Sequence, residues 1–166
     1  MIKDGETVIG IDPGKEGYIT VMKSSGVETH PIPKVGKEVD LSELANLIVT
    51  ISEECDTSKT VVVIEDVHAL AGSAAGATFA FGGICWSLRM GFIMCGLRIV
   101  LVAPKKWQKE MFEGIKKMDD TKAMSVLAAK RLFPNVKLTR TDRCTKPDNN
   151  LTDSLLIAEY GRRHYL

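Results

Sequence analysis

The sequence lacks a strong charge bias: its 22 lysines and arginines nearly balance 21 aspartates and glutamates, leaving a formal net charge of +1. A global electrostatic signature of nucleic-acid binding is therefore absent, and any such binding must depend on local patches. The composition of a disordered protein is also lacking, since 45% of the residues are apolar and 26% are charged. With no linker and no internal repeat, residues 1–166 are expected to form a single domain.

The four cysteines form no CxxC pair and are widely spaced, at Cys55, Cys85, Cys95 and Cys144. This spacing and the lack of a signal peptide predict reduced thiols in a protein of the cytoplasm, including that of a virus-infected host, and not a secreted protein. A membrane span is not expected either. The apolar stretch from residue 74 to residue 101 comes nearest to one, but it contains Arg89, Arg98 and several glycines.

Three acidic residues stand at the ends of segments with the pattern of core elements. Asp12 closes a short apolar strand and is followed directly by Pro-Gly, and Glu65 closes a second strand rich in β-branched residues. Asp153 opens an apolar helical stretch near the C-terminus. Three separated carboxylates in such positions indicate a metal site that the fold assembles.

The hydrophobic pattern predicts an α/β fold with five strands and five helices. Three strands joined by short turns suggest antiparallel hairpins, and the later strands follow helical crossovers, which together give a mixed five-stranded sheet flanked by helices. Asp40 or Ser42 is expected to cap the first helix. The predicted strands are 7–12, 17–22, 27–32, 60–65 and 98–102, and the predicted helices are 41–55, 77–96, 105–112, 119–133 and 150–163.

The predicted topology allows the first and fourth strands to be neighbours, which brings Asp12 and Glu65 together with Asp153 opposite them. Mg²⁺ prefers oxygen ligands and keeps several waters, so two or three carboxylates suffice to bind it. The alternative is structural: an aspartate before Pro-Gly often forms a turn, and Asp153 can serve the N-terminus of a helix. The joint occurrence of the three acids favours the metal site.

Five segments occur in the order IGIDPG (9–14), IEDVHA (64–69), PKKW (104–107), LFP (132–134) and DSLLIAEYGRR (153–163). Taken together, they resemble the RuvC-type Holliday junction resolvases, particularly the short versions found in phages. The resemblance implies an RNase H-like nuclease fold, a homodimer, and nicking of four-way or other branched DNA. It further implies dependence on Mg²⁺ or Mn²⁺, with two ions per active site, and nicks with a 5′-phosphate and a 3′-hydroxyl.

Four catalytic and metal-binding acids are also implied by the resemblance. Three of them correspond to Asp12, Glu65 and Asp153, and the fourth lies just upstream of Asp153. Here the sequence departs from the family pattern, because Asn149 stands where an acid is expected and the nearest spare carboxylate is Asp148. Either Asp148 takes the role or Asn149 is a weaker ligand, and we favour Asp148.

Basic side chains surround these positions in the sequence. The resemblance favours three lysines as phosphate contacts over the alternative of a solvated helix face, and Trp107 beside them is expected to be a core residue. Three more cations lie in the loop before the last helix, close to the inferred site. By analogy with the family, His68 and Leu70, which follow Glu65 in the sequence, are candidates for contacts at the junction crossover. The candidate DNA-binding residues are His68, Leu70, Lys105, Lys109, Lys122, Arg140, Arg143 and Lys146.

The helix at 77–96 is apolar on several sides, which predicts that it is buried or lies in an interface. The dimer implied by the resemblance favours an interface.

Two other functions stay open at this point. One is a related RNase H-fold nuclease that acts on flaps, forks or RNA–DNA hybrids, which shares the metal chemistry. The other is a non-catalytic protein that binds DNA junctions, for which Asn149 at an expected acid position is the support.

Overall fold

The computed structural model describes residues 2–67 and 74–166. The secondary-structure elements in chain order are β1 (Thr7–Asp12), β2 (Tyr18–Lys23), β3 (Gly26–Pro31), β4 (Lys34–Val35), β5 (Glu38–Val39), α1 (Leu41–Glu53), β6 (Thr60–Glu65), α2 (Ala75–Met94), β7 (Arg98–Val102), α3 (Pro104–Met111), α4 (Thr121–Leu132) and α5 (Asn149–Tyr165).

Five of the strands form one mixed sheet in the order β3-β2-β1-β6-β7. Strands β1, β2 and β3 are antiparallel neighbours, whereas β6 is parallel to both β1 and β7. This arrangement confirms the predicted α/β class, the antiparallel first three strands, and the pairing of the first predicted strand with the fourth. Every residue of β1 and β6 except the terminal acid is buried, because both faces of these strands are covered.

Helices cover the two faces of the sheet in separate groups. On one face, α3, α4 and α5 share a core with Val8 of β1 and Val63 of β6, in which Trp107 and Leu155 are fully buried. On the other face, α1 and α2 pack against Ile9 and Ile64. As a result, even-numbered residues of β1 such as Val8 face α3, α4 and α5, whereas odd-numbered residues such as Ile9 face α1 and α2.

A small hairpin, formed by β4 and β5, was not predicted. Its strands have two residues each and pair Lys34 with Val39 and Val35 with Glu38, with Gly36 at a φ of +60° in the turn. Strands this short carry too little alternation to be recognised in a sequence.

The N-cap of α1 is Asp40 and not Ser42. The Asp40 carboxylate accepts hydrogen bonds from the amides of Ser42 and Glu43.

Helix α2 buries only one side. Ile84, Leu88 and Phe92 pack against the sheet, while the opposite side exposes large apolar side chains. By length and composition alone this helix is apolar enough to cross a membrane. The exposed apolar side chains of α2 are Phe79, Trp86, Met90, Ile93 and Met94, and we call them the α2 apolar face.

Candidate carboxylate site

Strands β1 and β6 carry Asp12 and Glu65 to the same edge and the same face of the sheet. The two strands are parallel and in register, with Ile11 opposite Ile64, so that each acid follows a paired residue. Gly10 pairs with Val63, two residues before the acids, and both lie on the face covered by α5. Since side chains alternate along a strand, Asp12 and Glu65 also point to that face.

Helix α5 brings Asp153 to this face. A Cβ atom added to Gly10 would lie 2.5 Å from the carbonyl oxygen of Ser154 and 2.3 Å from the amide nitrogen of Ala158, so the helix backbone touches the strand. The Ser154 hydroxyl also hydrogen-bonds the Thr20 hydroxyl of β2 at 2.7 Å. These contacts fix the residue beside Ser154, which is Asp153, over the end of β1.

Burial raises the pKa values of all three acids, and neighbouring carboxylates raise those of Asp12 and Glu65 further. Burial first, and then the charges of Asp153, Glu65 and Asp148, raise the pKa of Asp12 well above its usual value. Burial raises the pKa of Asp153 to about 6, against a hydrogen bond from Ser125 and the charge of Lys122, which lower it. The pKa of Glu65 is raised mainly by burial as well. The predicted acids therefore form one electrostatically coupled cluster.

The donor set suits a hard cation, although the side chains do not converge on one point. In the described ranges 2–67 and 74–166, no group of three His, Cys, Asp or Glu side chains is arranged to hold a metal ion. However, Oδ1 of Asp153 is buried without a hydrogen-bond partner, which is costly for a carboxylate oxygen. A divalent cation would satisfy that oxygen and relieve the repulsion among the acids, so Asp12, Glu65 and Asp153 fit Mg²⁺ or Mn²⁺ chemically.

Trp107 is completely buried, which confirms the expectation of a core residue. Sequence reasoning missed its polar contact: the indole Nε1–H donates a hydrogen bond to Oε1 of Glu65 at 2.8 Å. The hydrogen bond lowers the pKa of Glu65 and so works against the effect of burial. The signal in the sequence is slight, because a tryptophan shortly after a strand does not reveal where its ring points.

Asp148 caps α5, and its carboxylate is held on both oxygens. Oδ1 accepts hydrogen bonds from the amides of Asn150 and Leu151, and Oδ2 accepts one from the Tyr18 hydroxyl at 3.2 Å. Burial and the charge of Asp148 raise the pKa of Tyr18 to about 12. Asn149, the first residue of α5, is four positions before Asp153 and so lies on the same side of the helix. The choice between Asp148 and Asn149 as fourth ligand stays a prediction.

Asp66 follows Glu65 and lies on the opposite face of the sheet, as strand alternation predicts. Its Oδ1 atom accepts a hydrogen bond from Arg89 of α2 at 3.4 Å, and its amide donates to the carbonyl of Val102. Asp66 thus contributes to the packing of α2 through its contact with Arg89.

The candidate DNA-binding cations are exposed, and one of them is near the acids. The charge of Lys122 lowers the pKa of both Asp12 and Asp153, which indicates proximity to the cluster. Arg140 is ion-paired with Glu16 at 3.0 Å, so it also holds its loop against the β1–β2 turn. His68 and Leu70 lie outside the described residues. The exposed candidates are Lys105, Lys109, Lys122, Arg140, Arg143 and Lys146.

A cleft of about 440 Å³ opens beside the turn that follows Asp12. Lys15 of that turn, Glu38 of the β4–β5 hairpin, and Ala80 and Phe81 of α2 contribute to its walls. Lys15 was not among the predicted DNA-binding residues, and the β4–β5 hairpin that completes the cleft was not predicted either. Lys15 is exposed and lies on the turn that directly follows Asp12.

Comparisons at the level of sequence find no relatives: no family model matches the chain, and no curated protein does. The fold, in contrast, has similar solved structures. A Thermus thermophilus RuvC structure in complex with a Holliday junction substrate has a TM-score of 0.65 and 12% identity, and covers 92% of this chain and 90% of its own.

Two further structures agree with that likeness. A second Thermus thermophilus RuvC structure has a TM-score of 0.55 and 17% identity over 95% of each chain. The yeast mitochondrial Holliday junction resolvase Ydc2 has a TM-score of 0.51 and 14% identity, over 99% of this chain and 83% of its own. The chain therefore has the fold of the RuvC-type resolvases, which confirms the expected RNase H-like architecture.

Proposed function

We propose that this protein is a structure-selective endonuclease, a crossover junction endodeoxyribonuclease that cleaves Holliday junctions and other branched DNA by metal-dependent phosphodiester hydrolysis. One observation carries the proposal: β1, β6 and α5 bring Asp12, Glu65 and Asp153 into one coupled cluster. The likeness of the fold to RuvC structures, one of them in complex with a Holliday junction substrate, supports the choice of substrate.

Asp12, Glu65 and Asp153 would hold Mg²⁺ or Mn²⁺, with Asp148 or Asn149 as the additional ligand. Bound in pairs, such ions stabilise the attacking and the leaving oxygen of a phosphodiester displacement, which leads us to expect a 5′-phosphate and a 3′-hydroxyl. The chain's own contribution is to keep three carboxylates close together in a partly buried site, at the cost of raised pKa values. Lys122 reduces that cost for two of them.

Exposed cations, among them Lys122 near the cluster, would bind the DNA backbone. Lys105 and Lys109 lie on α3, the helix that begins two residues after β7, and Lys122 lies in the first turn of α4. Each lysine that neutralises a phosphate releases counterions, so that binding would weaken steeply as salt is added. Arg143 and Lys146, in the loop before α5, and Lys15, in the cleft, are exposed cations that would add further contacts to the DNA backbone.

Two copies of the chain would associate through the α2 apolar face. Trp86 is 67% exposed and Met94 is 80% exposed, and a contiguous exposed apolar patch is typical of an interaction site. A two-fold dimer would hold two carboxylate clusters in a fixed relation, which suits paired cuts in the two opposed strands of a four-way junction.

The proposal is tested by measuring cleavage of a panel of labelled substrates: a four-way junction, a flap, a fork and an RNA–DNA hybrid, each with Mg²⁺. We expect the junction to be cut fastest. A preference for the flap, fork or hybrid would support the alternative RNase H-fold nuclease. Failure to cut any substrate, together with tight junction binding and no Mn²⁺ uptake in calorimetry, would support the non-catalytic binding protein.

A further inference from the structure

The hydrogen bond between Trp107 and Glu65 joins a fully buried ring to an acid of the proposed cation site. The distance from Trp107 Nε1 to Glu65 Oε1 is 2.8 Å, and the ring is fixed from the side by an edge-on contact with Phe112, with centroids 5.9 Å apart. The connection between the partners is short: Glu65 pairs with Val102 in the sheet, and α3 begins at Pro104. The backbone therefore leaves the ring little freedom to move away from the carboxylate.

An indole is a particular kind of partner for such an acid. It is a donor only and carries no charge, so it orients a carboxylate without neutralising it. A lysine or arginine in the same place would form an ion pair and compete with a cation for the carboxylate. A buried indole N–H also requires an acceptor, so the ring and the acid each restrict the other.

A similar neutral donor serves another acid of the cluster. Ser125 of α4 is 1% exposed, and the interaction of its hydroxyl with the Asp153 carboxyl lowers the pKa of that acid. Both donors come from helices that carry no acid of the cluster. Oδ1 of Asp153 is buried without a hydrogen-bond partner, so the donors around this carboxylate leave one of its oxygens available.

We infer, on the premise of the proposed cation site, that Trp107 is a positioning residue: its N–H holds Glu65 in the orientation that receives the cation while leaving its charge available. Residues that orient metal ligands in this way typically change metal affinity by about 10- to 100-fold when they are removed. Trp107 acts through Glu65 and has no contact with substrate in this role.

The wild-type protein offers a test with an internal control, because the sequence has only two tryptophans, Trp86 and Trp107. With ¹⁵N-labelled indole, the Trp107 Nε1–H resonance should shift saturably on titration with Mg²⁺ and broaden with Mn²⁺. The resonance of Trp86, which is exposed on the α2 apolar face, should change much less. A Trp107 resonance that does not respond to saturating cation would overturn the inference.

A pair of variants on one helix separates positioning from packing. Trp107→Phe keeps an aromatic ring but loses the N–H, whereas Met111→Ala removes an equally buried side chain of α3. In calorimetry we expect Mn²⁺ affinity to fall about tenfold or more in Trp107→Phe and to stay at the wild-type value in Met111→Ala, even if both melt at lower temperature.

The outcomes distinguish this inference from the proposed function. Unchanged Mn²⁺ affinity in a folded Trp107→Phe variant, or an equal loss in Met111→Ala, overturns the role of Trp107 alone. If the wild-type protein itself takes up no Mn²⁺, the cation site is wrong, and the role of Trp107 fails with it.

Discussion

Gly10 of β1 lies directly against the backbone of Ala158 in α5, so closely that an added methyl carbon would come within 2.3 Å of the Ala158 amide nitrogen. Gly161, further along α5, is in similar close contact with Val63 and Val8 of the sheet. Two glycines thus set the height of the helix above the strands. Because Asp153 is carried by α5 and Asp12 by β1, this spacing determines how near the two carboxylates are to each other.

Gly10→Ala should destabilise the protein strongly, because backbone atoms of α5 cannot yield to the new methyl group. Overpacking of this kind costs typically about 1–3 kcal/mol and occasionally more, and backbone contact places this site at the upper end. Urea denaturation measures the loss. In the matched control, Gly82→Ala on α2, nothing lies within 4 Å of the added carbon, and a gain of helix propensity is expected. Wild-type stability in Gly10→Ala would contradict the close contact.

The stability of the metal-free protein should depend on the ionisation of Asp153. Its pKa is about 6 in the folded protein against an ordinary value of 3.8, so the folded state retains a proton that the unfolded chain has released. Stability from this group is therefore full below about pH 4, falls as the pH rises toward 6, and stays low above that. Asp153→Asn should accordingly stabilise the metal-free protein at pH 8 and give little gain at pH 4.

Urea midpoints of the wild type and of Asp153→Asn, measured in chelator at both pH values, check this prediction. The raised pKa values of Asp12 and Glu65 act in the same direction in the wild type, so the difference between the proteins is the relevant quantity. An equal difference at pH 4 and pH 8 would show that the surroundings of Asp153 do not raise its pKa.

Much of this arrangement is predictable from the sequence, because strand alternation and strand-ending acids are local patterns. The bounds of β1, β6 and β7 match the prediction, and the placing of Asp12 and Glu65 on neighbouring strands follows from the topology. The contact between Trp107 and Glu65 could not be predicted, since a ring direction depends on tertiary packing. The same holds for Tyr18 and Asp148, which are 130 positions apart in the sequence.

The fourth ligand can be identified by comparing Asp148→Asn with Asn149→Ala. Asparagine caps a helix as well as aspartate does, so Asp148→Asn removes the charge while α5 keeps its N-cap. Because the charge of Asp148 acts on Asp12, we expect Mn²⁺ affinity to fall several-fold in Asp148→Asn at nearly unchanged melting temperature. Asn149→Ala should bind Mn²⁺ nearly as the wild type does. The reverse order of the two affinities would assign the role to Asn149.

Met90→Glu should convert the proposed dimer to a monomer, because it places a charge in the middle of the α2 apolar face, where Met90 is 56% exposed. Light scattering after size exclusion measures the mass. Leu127→Glu, at a similarly exposed apolar residue of α4, is the control and should remain dimeric. A wild-type protein that is monomeric at all concentrations, or a dimeric Met90→Glu, would rule out this interface.

The cluster around Asp12 is proposed to cleave branched DNA with a divalent cation. The most direct measurement incubates wild-type protein and Asp12→Asn with an end-labelled four-way junction, in Mg²⁺ and in chelator. We predict paired symmetric nicks from the wild type in Mg²⁺ only, and none from Asp12→Asn, which should still bind the junction. Nicking by Asp12→Asn at the wild-type rate, or by the wild type in chelator, would contradict the claim.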